Sequence, residues 1–160
     1  MIINGLPKVE AQGFLNTIDI PNDPAALLSL WDPGGLVMLG HSNRIISLHL
    51  PLHIKQHVVL FTMYAPTLQT HPVEKDKFYT DLRCLTQKVP ADDKIIIPGD
   101  FNARVGENSE TWKGLLGKHG IGNCNDNGCL LLEFCAEHQL TITNTIFQQK
   151  HSLKKTWMHP

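Results

Sequence analysis

From Gly35 onward the chain alternates between short apolar runs and polar punctuation. "GLVMLG" predicts a strand, and "RIISLHL" a second, with Ile46, Leu48 and Leu50 on one face. "HVVLFTMY" predicts a third and more buried strand, stopped by "APT" at residues 65–67. The period then changes. Behind Pro72, the residues Phe78, Leu82, Leu85 and Val89 recur at i, i+4, i+7 and i+11. That is the stripe of an amphipathic helix, with Lys75, Lys77, Asp81 and Lys88 away from it, and Pro90 and "ADD" ending it. "KIIIP" shows no alternation and predicts a strand covered on both faces. A long loop over residues 103–124 carries Gly106, Gly114, Gly117, Gly120 and Gly122; loops of this length are usually functional or disordered. "NDNG" opens a second helix with Leu131, Cys135 and His138 on one face, and "LTITNT" and "KTWMH" predict two further strands.

Strands, helix, buried strand, helix and strands in that order predict an α/β fold, helices covering a mixed sheet. Residues 1–34 are set apart, because Pro21, Pro24 and Pro33 break up their weak apolar groups. The expected division is therefore an N-terminal segment, 1–34, and a domain over 35–160. At 160 residues the chain is long enough for one proper core.

Composition narrows the class. An apolar fraction of 42% and a charged fraction of 18% belong to a globular chain. With 14 basic and 15 acidic residues, no global polycation announces nucleic acid. Locally, Lys150, Lys154 and Lys155 lie in a segment without an acid and are candidates for phosphate contacts. The four cysteines, Cys84, Cys124, Cys129 and Cys135, form no CxxC pair, and a zinc set of His119, Cys124, Cys129 and His138 has no compact spacing; free thiols are expected. The N-terminus lacks a basic region followed by an apolar one, and no apolar run approaches the ~18 residues of a membrane span. An intracellular protein, nuclear or cytoplasmic and without membrane partners, is expected.

The chemistry concentrates in "IIIPGDFNARVG", residues 95–106. In extended backbone the side-chain period is two, so Asp100 and Asn102 should project to one side and Phe101 to the other. Phe101 and Ile96 would anchor in the core while the polar pair faces a cleft, with Gly99 removing bulk beside it. An acid after a strand is also a common turn former, and Asn tolerates turn geometry.

"GDFN" after an apolar strand resembles the signature of the endonuclease/exonuclease/phosphatase family of metal-dependent phosphodiesterases. "YAPT" at 64–67 looks like that family's Tyr-x-Pro element, and "KTWMHP" at 155–160 like its Thr-Trp element; the three stand in the family's order. "KFYTDL", "LLLEFCAEHQLTITNTIF" and the long glycine-bearing loop extend the likeness toward the endonucleases of non-LTR retrotransposons, over roughly residues 43–160. The resemblance implies a layered α/β sandwich, here incomplete at both ends, and a Mg²⁺-dependent endonuclease acting on DNA or another phosphodiester.

Carried over residue by residue, Asp100 would orient or deprotonate the attacking water, and Asn102 would donate to a phosphate oxygen. Tyr64 would place its hydroxyl near the scissile phosphate. Asn144, Thr156 and Trp157 would shape the substrate site, with Lys154 and Lys155 on the backbone. The sequence also departs from the pattern. Asn4 and Glu10 sit in no strand–turn context that would make either the family's metal-binding residue, so the metal ligands stay unassigned. No Asp-His pair follows the Thr-Trp element, and nothing places His138, His151 or His159 as its substitute. Impaired catalysis is therefore expected, with a non-catalytic domain that binds nucleic acid or protein as the alternative. A sandwich missing strands is also expected to be marginally stable or to self-associate.

Overall fold

The computed structural model describes residues 2–3, 37–53 and 56–148. The fold is mixed α/β, consistent with part of a layered α/β sandwich, and it divides into two compact units, Met1–Asn102 and Ala103–Pro160. The expected boundary at residue 34 lies outside the described residues, as does the "KTWMH" strand.

The first unit is built on a mixed sheet. Its strands are β1 (Ile2–Ile3), β2 (Val37–Ser42), β3 (Ile45–His53), β4 (Gln56–Tyr64) and β5 (Lys94–Asp100), in the spatial order β1-β5-β4-β3-β2. All neighbours are antiparallel except β4 and β5, which run parallel and are joined through helix α1 (Pro72–Thr86). A parallel pair needs such a crossover, because its connection must return along the strand direction. Pro72 suits the first helical turn, whose N–H groups have no partner within the helix, and the His71 side chain accepts the Val73 N–H. α1 buries Phe78, Tyr79, Leu82 and Thr86, so the predicted stripe is present but shifted: Leu85 is half-buried and Val89 lies beyond the helix.

The two sheet faces differ in depth. Ile45, Ser47, Val59, Phe61, Met63 and Ile97 share the deep one, each at most 3% exposed. The alternating Ile46, Leu48 and Leu50 share a face as predicted, but it is the shallower one, where they are half-buried. "KIIIP" divides along the strand rather than by face: Ile97 and Pro98, on opposite faces, are buried, whereas Ile95 and Ile96 are half-buried. Pattern placed Ile46 correctly by face; which face is the deeper one was not legible, because Ser47 on the deep face hides that face's apolar character. The buried Ser47 hydroxyl is satisfied by His41 Nε2 at 2.7 Å.

That contact carries a pH prediction. His41 is held below its ordinary value of 6.5 by burial, then by His49 and Lys88. His49 is lowered by burial and by His57, against an opposing pull from Asp93. The unfolded chain then binds more protons than the folded one, so stability is complete above about 6.5 and declines as pH falls below it. Urea midpoints measured between about pH 6.5 and 5 should fall in the wild type, with a shallower slope in a His41→Gln, His49→Gln variant.

The second unit centres on helix α2 (Asp126–Glu137), which buries Leu131, Leu132, Phe134 and Cys135; His138 is its half-buried C-cap. Leu131 and Cys135 lie on the predicted face, but the apolar surface is wider than one stripe. "LTITNT" does not form the predicted strand. Ile142 makes one isolated parallel bridge to Leu116, and Thr143–Thr145 curls into a 3-10 turn. Thr145 is the cause: its hydroxyl donates to the Ile142 carbonyl at 2.6 Å and accepts the Gly117 N–H at 2.7 Å. A threonine that bonds the backbone three residues behind it competes with a ladder partner. The segment binds the long loop instead, through Ile142 N–H to the Leu115 carbonyl and His119 N–H to the Thr145 carbonyl, both at 2.8 Å.

Candidate functional site

The parallel pair β4–β5 is clamped at both ends. At its start, Asp93 Oδ1 accepts the His57 N–H at 2.9 Å and lies 3.5 Å from His57 Nδ1. At its finish, the Ala65 N–H donates to the Asp100 carbonyl at 2.8 Å, and Asn102 Nδ2 donates to the Ala65 carbonyl at 2.8 Å. "YAPT" and "GDFN" are thereby joined directly, although Ala65 and Asn102 stand 37 positions apart.

Within this corner Tyr64 and Asp100 are side-by-side strand partners, and both are exposed, Tyr64 by 52%. Phe101, 1% exposed, anchors the strand end. Asp100 and Asn102 do come together, but not by strand period. The strand stops at Asp100, and Asn102 turns into the left-handed region at φ 47°. Its N–H donates to Asp100 Oδ1 at 2.9 Å, so the carboxylate closes an Asx-type turn across the two residues. Asn is among the few residues that accept that backbone, and its amide is then aimed at Ala65. Gly99 makes the approach possible: at φ 155°, a Cβ there would overlap the Met63 carbonyl oxygen.

Arg44 is the residue that motif reading missed. It lies in the turn between β2 and β3, where its carbonyl accepts the Tyr64 N–H at 3.1 Å and its Nη1 donates to the Tyr64 carbonyl at 3.4 Å. A cation is thus fixed at the same strand end. The only sequence signal was an arginine closing "HSNR", which reads equally as a hairpin turn.

Asn144 is exposed in the 3-10 turn of the second unit. Lys150, Lys154, Lys155, Thr156 and Trp157 lie outside the described residues, as do Asn4, Glu10, His151 and His159. The described residues do not by themselves fit Mg²⁺, which takes near-octahedral oxygen ligands including one or two carboxylates. Asp100 brings one carboxylate, with Oδ1 already in the turn, and among the described residues no group of three or more His, Cys, Asp or Glu could hold a metal ion. Among the described residues His119, Cys124, Cys129 and His138 form no such group.

With that corner defined, comparison with known proteins gives it a context. The chain is similar to craniofacial development protein 2. The protein from Bos taurus is 39% identical over 104 residues, which cover 65% of this chain and 17% of that protein. The protein from Tragulus javanicus is 36% identical over 104 residues, 65% of this chain and 18% of that one. The match therefore covers less than a fifth of these relatives' length. No protein-family model matches the chain, and no solved structure does. Among the described residues no helix is long and apolar enough to cross a membrane.

Proposed function

We propose that this chain carries part of an endonuclease/exonuclease/phosphatase-type domain, related to retrotransposon endonucleases, and that its Tyr64–Asp100–Asn102 corner engages a phosphodiester. The observation that carries this reading is the pair of hydrogen bonds through Ala65, which tie two phosphodiesterase-like motifs into one exposed corner. In that role Asp100 orients the attacking water, and Tyr64 presents its hydroxyl to the phosphate. Asn102, its amide oriented by the bond to Ala65, donates to a phosphate oxygen. Arg44 adds a guanidinium, the cation best shaped for phosphate. Bound Mg²⁺ would supply Lewis-acid stabilisation in the family, but the described donors fall short of a site for it, so no step is assigned to it. Hydrolysis by this chain is accordingly weak or absent, and binding to nucleic acid outlasts it.

The test compares nicking of supercoiled DNA by the wild type and Asp100→Asn, with Mg²⁺ and with EDTA, alongside duplex binding by fluorescence anisotropy. Expected are little nicking, binding that weakens steeply with salt, and weaker binding in Arg44→Ala. Strong metal-dependent nicking that falls about 10²–10³-fold or more in Asp100→Asn would establish a working nuclease and overturn the impaired reading. Absence of DNA binding, unaffected by Arg44→Ala, would remove the nucleic-acid assignment and favour a protein-binding domain.

A further inference from the structure

The start of α2 is held by an unusually dense set of bonds. Asn125 is its N-cap: Oδ1 accepts the Gly128 N–H at 2.8 Å and also the Arg104 N–H at 3.0 Å. The Asn125 N–H returns to the Arg104 carbonyl at 2.9 Å, and Arg104 Nε donates to the Asn123 carbonyl at 2.6 Å. Gly128 is needed here, since a Cβ would overlap the Arg104 carbonyl oxygen. In helices capped this way, the residue before the cap and the fourth residue of the helix meet, and an apolar pair usually fills those positions as a staple. In this chain both are cysteines, Cys124 and Cys129, and their sulfurs lie 3.0 Å apart.

We propose that Cys124 and Cys129 form a redox-active dithiol that closes to a disulfide across the α2 N-cap when it meets a small disulfide oxidant. Their sulfurs need approach by only about 1 Å to reach the ~2.05 Å of a covalent bond. The two thiols differ in access. Cys129 is exposed, whereas Cys124 is half-buried and its thiol is pushed up to about 12 by burial and by the neighbouring Cys129. Cys129 therefore reacts first. Its thiolate attacks one sulfur of the oxidant RSSR, the oxidant's S–S bond breaks, and one RS⁻ leaves and takes a proton. Cys124 then gives up its proton and attacks Cys129 Sγ, expelling the second RS⁻. Two protein thiols become one disulfide, and RSSR becomes two RSH. The ring so formed encloses Asn125 and locks the cap that positions Arg104.

Cys84 is also exposed and Cys135 fully buried, so both serve as internal references. The test treats the reduced full chain with oxidised glutathione and follows intact mass and peptide maps. Expected is a protein two hydrogens lighter in the 124–129 peptide, with a glutathione adduct on Cys129 only in passing. Cys124→Ser should trap that adduct on Cys129 as a stable product, and Cys129→Ser should slow reaction at Cys124 at least about tenfold. Serine is close to cysteine in size, and circular dichroism of each variant monitors the fold. Wild-type protein that stops at the Cys129 adduct, to the same extent as Cys124→Ser, would overturn the proposal. So would oxidation confined to Cys84 or leading only to dimers.

Discussion

Gly99→Ala is expected to cost at least about 3 kcal/mol of stability, among the largest single-residue effects in this chain. Two penalties coincide at this position. The backbone stands at φ 155°, which L side chains rarely adopt, and the added Cβ would overlap the Met63 main-chain oxygen rather than a movable side chain. Relief requires β5 to part from β4, and that parting separates Tyr64 from Asp100. Gly114 provides the control. It also has a positive φ, 81°, but a Cβ there meets nothing within 4 Å, so Gly114→Ala should cost only about 1 kcal/mol of backbone strain. Urea unfolding of the two variants separates strain from collision. Equal midpoints would mean that β4 and β5 do not meet as closely as described.

Substitution of Asn102 should have the second largest effect, and three variants dissect it. Asn102→Gly keeps the left-handed turn and loses the bond to Ala65, a cost of about 1 kcal/mol. Asn102→Ala loses that bond and the tolerance for φ 47° together, roughly 2 kcal/mol. Asn102→Asp is expected to be the worst, since it sets a carboxylate against the Ala65 carbonyl where a donor is required. Phosphodiester binding should fall about tenfold in all three, because the lost donor is worth on the order of 1.4 kcal/mol at a charged acceptor. Wild-type stability and binding in Asn102→Gly would show that the amide neither joins the two motifs nor contacts phosphate.

Much of this was legible without coordinates. Apolar runs located β2, β4 and β5, and hydrophobic period located β3 and both helices, because regular burial of a regular backbone leaves a regular pattern. Pro72 and "NDNG" marked the helix starts through local bonding rules that hold in any fold. Phe101 was legible as a buried anchor, although it lies just past the strand end. "GDFN" and "YAPT" also stood out as chemistry.

What the tertiary structure decided lies where bonds cross between distant segments. Strand period explained the meeting of Asp100 and Asn102 for the wrong reason; a turn past the strand end brings them together, and the Asn102 amide is oriented by the Ala65 carbonyl just beyond β4. The depth of Ser47 depended on His41, and the failure of residues 141–145 to form a strand depended on loop amides that Thr145 captures. Arg44 joined the corner only through a neighbour 20 positions away. A sequence states which backbone shape each segment prefers and which face it would bury. Which donor meets which acceptor is settled only when packing brings them into hydrogen-bond reach, and the candidate corner of this protein is made of such meetings.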